Sequence, residues 1–337
     1  MRNPAAWGLL LLILAASVLS QASAQEDRKI LVAVTAPPLG EVVREVGGEF
    51  VEVKNIIPLG AEPHSYEPGI QEVISSIQNA SLIVMTGPHH LPVEERIQRL
   101  SEEGLIKTTI LDYRNYQETG LVILNIPGVG VPNPHGYLYS ISGLKAIAKA
   151  CFNKLSKIKP EESGYFNKRL KTYLQKLSSL EEKINKMNLK GAKVILGGPI
   201  LQYVAEDLGL KVEEVIVKAH GAEASSEEIM EAIRLVKNGE ASLILLSDLE
   251  VAENSALLKS LQENRIPYAV VPLLELSDKP ELTPFVTASL LKSEVQPIVG
   301  ARASSSLSEI LFFPSLLANI ILLFLLILLI LKVRRYG

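Results

Sequence analysis

Short apolar runs alternate with amphipathic stretches along most of the chain. The runs typical of β-strands are Ile30–Val34, Val51–Ile57, Leu82–Met85, Leu121–Ile126, Lys193–Leu196, Val212–Val217, Leu243–Leu246 and Ala269–Leu273. Helical patterns lie between most of them, among them Leu39–Val46, Ile70–Ile77 and Glu227–Lys237. Strands that alternate with helices predict mostly parallel sheets flanked by helices on both faces. The fold class is therefore α/β.

One stretch, Gly164–Asn188, has the pattern of a single long helix. Its apolar residues recur at spacings of three and four: Phe166, Leu170, Tyr173, Leu174, Leu177, Leu180, Ile184 and Met187. About 25 residues at 1.5 Å each would span nearly 40 Å, too long for one lobe. A coiled coil would need a partner that continues past three heptads, so we expect a rigid brace between two lobes. The predicted organisation is an N-terminal lobe at 25–155, a linking helix at 160–190 and a C-terminal lobe at 191–300.

The two ends of the chain carry apolar blocks without charge. Leu10–Ser20 follows Arg2 and precedes Ala22-Ser23-Ala24, which is the order of parts in a secretory signal peptide, here residues 1–24. Ile310–Leu331 is long enough to span a bilayer and is followed at once by basic residues. We expect a linker at 301–309, a transmembrane helix at 310–331 and a cytoplasmic tail at 332–337. The bulk of the chain would then be extracytoplasmic, held at the cell membrane by one span.

Charge and cysteine content narrow the classes of function. All 37 acidic residues lie between the two apolar ends, and the same region has 30 basic residues, so its net charge is about −7. Nucleic-acid binding needs a basic face, which this region does not supply. The single Cys151 excludes an intrachain disulfide and sites built from several thiolates. Any metal site must therefore use nitrogen and oxygen ligands.

The histidines follow the predicted strands. His64, His89 with His90, His135 and His220 each come after a different apolar run, and Asp248 and Asp278 follow the last two runs. In open parallel sheets the ligand crevice lies outside the carboxyl ends of the strands. Imidazole is a common ligand of zinc, and carboxylates complete zinc or manganese sites. The placement predicts a site for a divalent transition metal.

Two motifs resemble the solute-binding proteins of zinc and manganese ABC importers. They are Ala61-Glu62-Pro63-His64-Ser65-Tyr66-Glu67-Pro68 and Asn133-Pro134-His135-Gly136-Tyr137-Leu138. The resemblance extends over about residues 30–298 and includes the long helix. It implies two lobes joined by a rigid helix, with a metal at their interface. It also implies that His64 and His135 are ligands and that Asp278 is the carboxylate ligand.

The sequence departs from this family at one ligand. The family has a His or Glu in the loop after the first strand of the second lobe, and Gly198 stands there. His220, His90 or a water molecule are the alternatives for that place. A site of His64, His135, Asp278 and one further nitrogen would be four-coordinate and would suit zinc, the leading candidate, whereas two histidines with carboxylate and water would suit manganese or iron equally well. Tyr66, Glu67 and Asp248 are expected around the ligands, although Tyr66 and Glu67 are equally compatible with packing and helix capping.

The resemblance implies that the chain captures a divalent metal and delivers it to an ABC permease and its ATPase. We expect a monomer that binds no nucleic acid and is not an enzyme. Two alternatives stay open: an adhesin or scaffold with a degraded metal site, and a zinc hydrolase with Glu62 or Glu67 as general base. Two smaller features predict structure only, a capping box at Ser225 and Glu228 and a buried Cys151.

Overall fold

The computed structural model of the chain describes residues 29–61, 63–88, 90–218 and 222–293. The predicted signal peptide, linker, membrane span and tail lie outside these ranges, as do Glu62, His89 and His220. Within the described ranges, no helix is both long and apolar enough to cross a membrane.

The first lobe is a four-stranded parallel sheet. Its strands are β1 (Ile30–Val34), β2 (Val51–Asn55), β3 (Leu82–Val84) and β4 (Thr109–Leu111), in the spatial order β2-β1-β3-β4. Its helices are α1 (Pro37–Gly47), α2 (Ile70–Ile77), α3 (Pro92–Glu102) and α4 (Tyr113–Glu118). The central strands β1 and β3 are buried almost throughout, because helices cover both faces of the sheet.

The second lobe repeats this strand order. Its strands are β5 (Lys193–Leu196), β6 (Lys211–Val215), β7 (Leu243–Ser247) and β8 (Tyr268–Val271), in the order β6-β5-β7-β8 and again parallel. Its helices are α7 (Gln202–Asp207), α8 (Ser226–Lys237), α9 (Asp248–Glu253), α10 (Ser255–Glu263) and α11 (Thr283–Lys292). The prediction of an α/β fold with two parallel sheets is confirmed.

Two long helices lie between the sheets in sequence, α5 (Ile141–Ile158) and α6 (Ser163–Asn185). Helix α6 packs against α1 and α5 on the side of the first lobe and against α11 on the side of the second. Its buried residues recur at helical spacing: Phe166, Leu170, Tyr173, Leu177 and Ile184. The predicted linking helix is thus confirmed. One continuous hydrophobic core holds side chains of both sheets, for example Val34 and Leu196, and smaller clusters lie beside it.

One strand prediction was wrong. Residues 121–126 form no sheet strand; instead the Ile126 amide donates to Val131 O at 2.8 Å and the Asn133 amide to Leu124 O at 2.7 Å. The segment is apolar because Leu121 and Ile126 are buried, so its hydrophobicity reflects packing of a folded loop. The edge of the first sheet is taken by β4, whose short and partly exposed sequence gave no clear pattern. The other seven predicted strands are present within a few residues of their expected bounds.

Two structural predictions are also confirmed. Ser225 and Glu228 form a capping box at the start of α8, and Cys151 is a buried free thiol in α5.

Candidate metal site

Three histidines from separate loops converge at one point. His64, His90 and His135 each offer a ring nitrogen, and these nitrogens all lie within 4.8 Å of one another. The ring centroids are 4.5 Å apart for His90 and His135, 5.4 Å for His64 and His90, and 5.6 Å for His64 and His135. In the described part of the chain, no other group of three or more His, Cys, Asp or Glu side chains has this geometry.

The parallel sheet explains why these loops meet. His64 lies between β2 and α2, and His90 lies between β3 and α3. Strands β2 and β3 flank β1 on either side, so their carboxyl ends open onto the same edge of the sheet. His135 comes from the loop before the 3₁₀ turn Tyr137–Tyr139 and reaches the same edge.

A buried hydrogen-bond chain fixes the ring of His90. The Thr86 Oγ1 lies 2.5 Å from His90 Nδ1, and the same hydroxyl donates to Glu94 Oε2 at 2.6 Å. Glu94 is fully buried and also accepts from the Thr86 amide at 2.6 Å, the Gly87 amide at 3.2 Å and the Thr35 hydroxyl. Burial raises the pKa of Glu94 to about 7, while these hydrogen bonds lower it from a still higher value.

The ionised form of Glu94 selects one tautomer of His90 through this series of hydrogen bonds. When Glu94 is ionised it can only accept, so the Thr86 hydroxyl proton points to Glu94 and the His90 Nδ1–H donates to Thr86. The Nε2 atom of neutral His90 then presents its lone pair to the other histidines, and it lies 2.7 Å from His135 Nδ1. A hydrogen bond from the far ring nitrogen is the usual way in which proteins orient a histidine that binds metal.

The loop of His135 is held against the second lobe by Asn133. The buried Asn133 side chain accepts from the His135 amide at 2.9 Å. Its Nδ2 donates to Pro199 O at 2.9 Å and to Gln202 Oε1 at 2.8 Å. Tyr203 adds a hydrogen bond to the Asn133 carbonyl at 2.7 Å. Asn133 therefore joins a histidine of the first lobe to the segment that follows β5.

Gly136 permits the lobes to approach closely at this loop. It adopts a φ of 84°, and a Cβ at this position would collide with the carbonyl oxygen of Ile200. Only glycine satisfies both the left-handed backbone and the missing space. The position of His135 thus depends directly on its sequence neighbour.

The predicted carboxylates are not part of the histidine cluster. Asp278 lines a surface depression together with Glu41, Lys279 and Glu281, and it is not among the residues whose ligand atoms cluster at the histidines. Asp248 accepts three backbone hydrogen bonds of 3.0 Å, from Leu249, Leu273 and Leu274. These bonds tie the loop after β8 to the start of α9.

Tyr66 and Glu67 have partners on the surface of the first lobe. Tyr66 donates to Glu72 Oε1 at 2.9 Å, and Glu67 forms a long ion pair with Arg96 at 3.7 Å. Neither of these two contacts involves a histidine. They agree with the alternative that both residues serve packing and local structure.

The Gly198 position is filled by another side chain. Glu250, at the start of α9, places its carboxylate where a side chain on Gly198 would lie. It is 9% exposed, and it lines a cavity of about 40 Å³ together with His64, His135 and Gly198. Sequence reasoning missed Glu250, Thr86 and Glu94. The pattern Ser247-x-x-Glu250 was visible as a capping box, but nothing in the sequence indicates that its carboxylate is buried.

Comparison with known proteins identifies the family. The sequence model described as zinc-uptake complex component A, periplasmic (ZnuA), matches residues 32–283. The chain belongs to the ZnuA family. It is thus the substrate-binding component of a manganese or zinc ABC importer, and its cargo is a divalent metal; the family consists of transport proteins, not enzymes.

The chain also resembles individual proteins of known function or structure. The manganese ABC transporter substrate-binding lipoprotein PsaA of Streptococcus pneumoniae is 25% identical over 244 residues, which cover 68% of this chain and 78% of PsaA. The fold resembles the manganese complex of FpvC from Pseudomonas aeruginosa, with a TM-score of 0.66, 20% identity and coverage of 80% and 99% of the two chains. It also resembles a crystal structure of ZnuA, with a TM-score of 0.63, 20% identity and coverage of 78% and 99%.

Proposed function

We propose that the chain captures its metal at His64, His90 and His135. The observation that carries this proposal is the convergence of three ring nitrogens within 4.8 Å on loops that the fold brings to one edge. The His90 ring is already oriented by Thr86, with Nε2 toward the other two histidines. His90 is thus our choice among the alternatives for the ligand that Gly198 does not supply.

The donor set favours zinc. Three imidazole nitrogens with one open position form a common zinc site, whereas manganese prefers a larger share of oxygen ligands. The 2.7 Å separation of His90 Nε2 and His135 Nδ1 is a hydrogen-bond distance. Two nitrogens bound to one tetrahedral zinc lie roughly 3.3 Å apart. Metal entry would therefore replace a shared proton and separate the two rings by less than about 1 Å. Manganese and iron are the competing cargoes.

Membership of the ZnuA family leads us to expect that the chain delivers its metal to a transporter. The chain would pass its metal to the permease of an ABC transporter, which works with its ATPase. PsaA is described as a lipoprotein and the family as periplasmic, so we place this chain outside the cytoplasm. Residues 310–331 would anchor it to the cell membrane by one span. We propose that it acts as a monomer, with Asp278 outside the metal site.

The test compares two histidines in the full chain. Zinc and manganese affinities would be measured by competition with a chromogenic chelator for the wild type, His90→Ala and His220→Ala. Loss of a hydrogen-bond partner of a ligand alone lowers metal affinity by about 10–100-fold, so His90→Ala should lose at least that much. His220→Ala serves as the matched histidine control and should retain the affinity of the wild type.

Four outcomes would change the assignment of the ligands or of the function. Equal loss in both variants would place His220 among the ligands. Loss in His220→Ala alone would overturn the assignment of His90. A wild-type chain that binds neither metal would contradict the metal site and leave the fold with the role of an adhesin or scaffold. Hydrolysis of ester or peptide substrates by the zinc-loaded chain would contradict a pure transport role.

A further inference from the structure

Glu250 has a buried carboxylate oxygen with no hydrogen-bond partner among the described residues. Its Oε2 accepts from the Ser247 amide at 2.7 Å, which closes the capping box of α9. Its Oε1 is buried and makes no hydrogen bond. Burial raises the pKa of Glu250 to about 7. A buried acceptor that is left unused is unfavourable, so a native structure that keeps one usually has a use for it.

The capping box by itself does not explain this burial. Helix α8 begins with the same arrangement, in which Glu228 Oε2 accepts from the Ser225 amide at 2.9 Å. Glu228 performs this task while partly exposed to water. The cap of α9 would work equally well with a solvated carboxylate. The burial of Glu250 therefore calls for a second role.

Two glycines make room for the carboxylate. A Cβ on Gly197 would lie 2.6 Å from Leu246 Cδ2 and 2.9 Å from Glu250 Oε2, and a Cβ on Gly198 would collide with Oε1. Gly198 has an extended backbone with φ −153°, which any residue can adopt. Glycine at 198 is thus required by the neighbouring carboxylate and not by the backbone.

The unused oxygen belongs to a residue of the cavity that the histidines line. Glu250, Gly198, His64 and His135 share the walls of this space of about 40 Å³. A water molecule needs only about 10–15 Å³ by the same kind of measure, so the cavity has room for an ion with a water molecule. The wall from the first lobe is made of imidazoles, and the wall from the second lobe carries a carboxylate.

We infer that Glu250 Oε1 is the metal ligand contributed by the second lobe, in place of the side chain absent at Gly198. The inference rests on the proposed metal site at His64, His90 and His135. A cation bound there would pair with the desolvated carboxylate and satisfy its free oxygen. Glu250 lies outside the group of ligand atoms that are within 4.8 Å of one another, so metal binding would have to draw its carboxylate and the three rings together. The complete site would have three nitrogens and one oxygen, and it would draw its ligands from both lobes.

The experiment uses Glu250→Gln in the full chain, with Glu228→Gln as the matched control in the other capping box. Glutamine keeps an oxygen for the Ser247 amide but is a much weaker metal ligand. We expect zinc affinity to fall by about 10–100-fold in Glu250→Gln and to stay unchanged in Glu228→Gln. In the absence of zinc, Glu250→Gln should unfold at the same or a higher denaturant concentration, because a buried charge has been removed.

A purely structural cap would behave in the opposite way. It would lower the stability of the metal-free Glu250→Gln chain and leave its zinc affinity unchanged, and that result would overturn the inference. If Glu250→Gln does not fold, Gly198→Ala provides the second test, because its methyl group must displace Oε1 while the charge remains. Wild-type zinc affinity in Gly198→Ala would likewise overturn the inference.

The role of Glu250 and the histidine site can be refuted independently of one another. If His90→Ala loses zinc and Glu250→Gln does not, the histidine site stands and only the role of Glu250 is refuted. If the wild type does not bind zinc at all, the proposed metal site itself is refuted.

Discussion

Removing the hydroxyl group of Thr86 tests whether the buried chain behind His90 matters for metal binding. Thr86→Val is nearly isosteric, and it deletes both the 2.6 Å hydrogen bond to Glu94 Oε2 and the 2.5 Å contact with His90 Nδ1. His90 then loses the partner that fixes its protonation state and ring orientation. We expect zinc affinity to fall by about 10–100-fold, which corresponds to about 1.4–2.7 kcal/mol.

Thr35→Val is the matched control for this substitution. Thr35 is also fully buried, and its hydroxyl donates to the other oxygen of the same carboxylate, Glu94 Oε1. Each variant removes one hydrogen bond from the same buried carboxylate, so each should lower the free energy of unfolding by about 1–3 kcal/mol. Only Thr86→Val should also lose affinity for metal.

The assay is a zinc titration against a chromogenic chelator, combined with urea unfolding of the metal-free chain. If both variants lose the same stability and Thr86→Val alone loses zinc affinity, the hydrogen bonds from Glu94 through Thr86 orient the His90 ring for metal binding. Equal zinc affinities in the two variants would refute this reasoning, because His90 would then be oriented without Thr86.

Three further predictions concern the surroundings of the site. Gly136→Ala should lower the free energy of unfolding by more than about 3 kcal/mol in a urea titration, whereas Gly130→Ala, with a similar positive φ but open space around it, should lower it by about 1 kcal/mol; comparable losses would show that the contact with Ile200 is unimportant. Asn133→Asp replaces a buried amide donor with a carboxylate oxygen that faces two acceptors, Pro199 O and Gln202 Oε1. It should therefore lower both the unfolding midpoint and the zinc affinity, and an unchanged midpoint at pH 8 would contradict this. Burial raises the pKa of Asp207 to about 6, above its ordinary value of 3.8, so the folded state favours the protonated carboxyl group. The stabilisation from this protonated form is fully present below pH 3.8 and is lost as the pH rises through about 6, and the loss amounts to about 3 kcal/mol at most. The unfolding midpoint of Asp207→Asn should lack this pH dependence.

The sequence predicted the elements whose signal is local. Apolar positions indicated seven strands of the two sheets. Central strands such as β3 and β7 are apolar and buried at every position, whereas the edge strand β2 alternates more buried and exposed positions. The long helix was visible from its spacing of three and four. Leu121–Ile126 failed because an apolar run reports burial and not the partner of its backbone. Strand β4 was missed because an edge strand of three residues carries too few buried side chains to form a pattern.

The candidate site was predictable in part for similar reasons. Histidines after parallel strands must approach the same sheet edge, so His64 and His90 could be proposed from their positions. His135 follows a run that forms no strand, so its place in the site was indicated by the motif Asn133-Pro134-His135 and not by the sheet. The sequence left His90 and His220 as alternatives, because the choice depends on loop conformation. The supporting carboxylates could not be found, since the burial of Glu94 and Glu250 arises from residues distant in sequence, such as Thr35 and Gly198.

The core shared by the two sheets constrains how the cargo leaves. A wide rotation of one lobe would expose buried side chains at the junction, such as Leu138 and Leu201, and would separate the rings of Tyr137 and Tyr203, whose centroids are 6.0 Å apart. Each fully exposed side chain of this kind costs about 1.5–3 kcal/mol, so such opening would be rare in the isolated protein. The metal should therefore exchange slowly in solution. Contact with the permease, and not spontaneous opening, would set the time at which it is released.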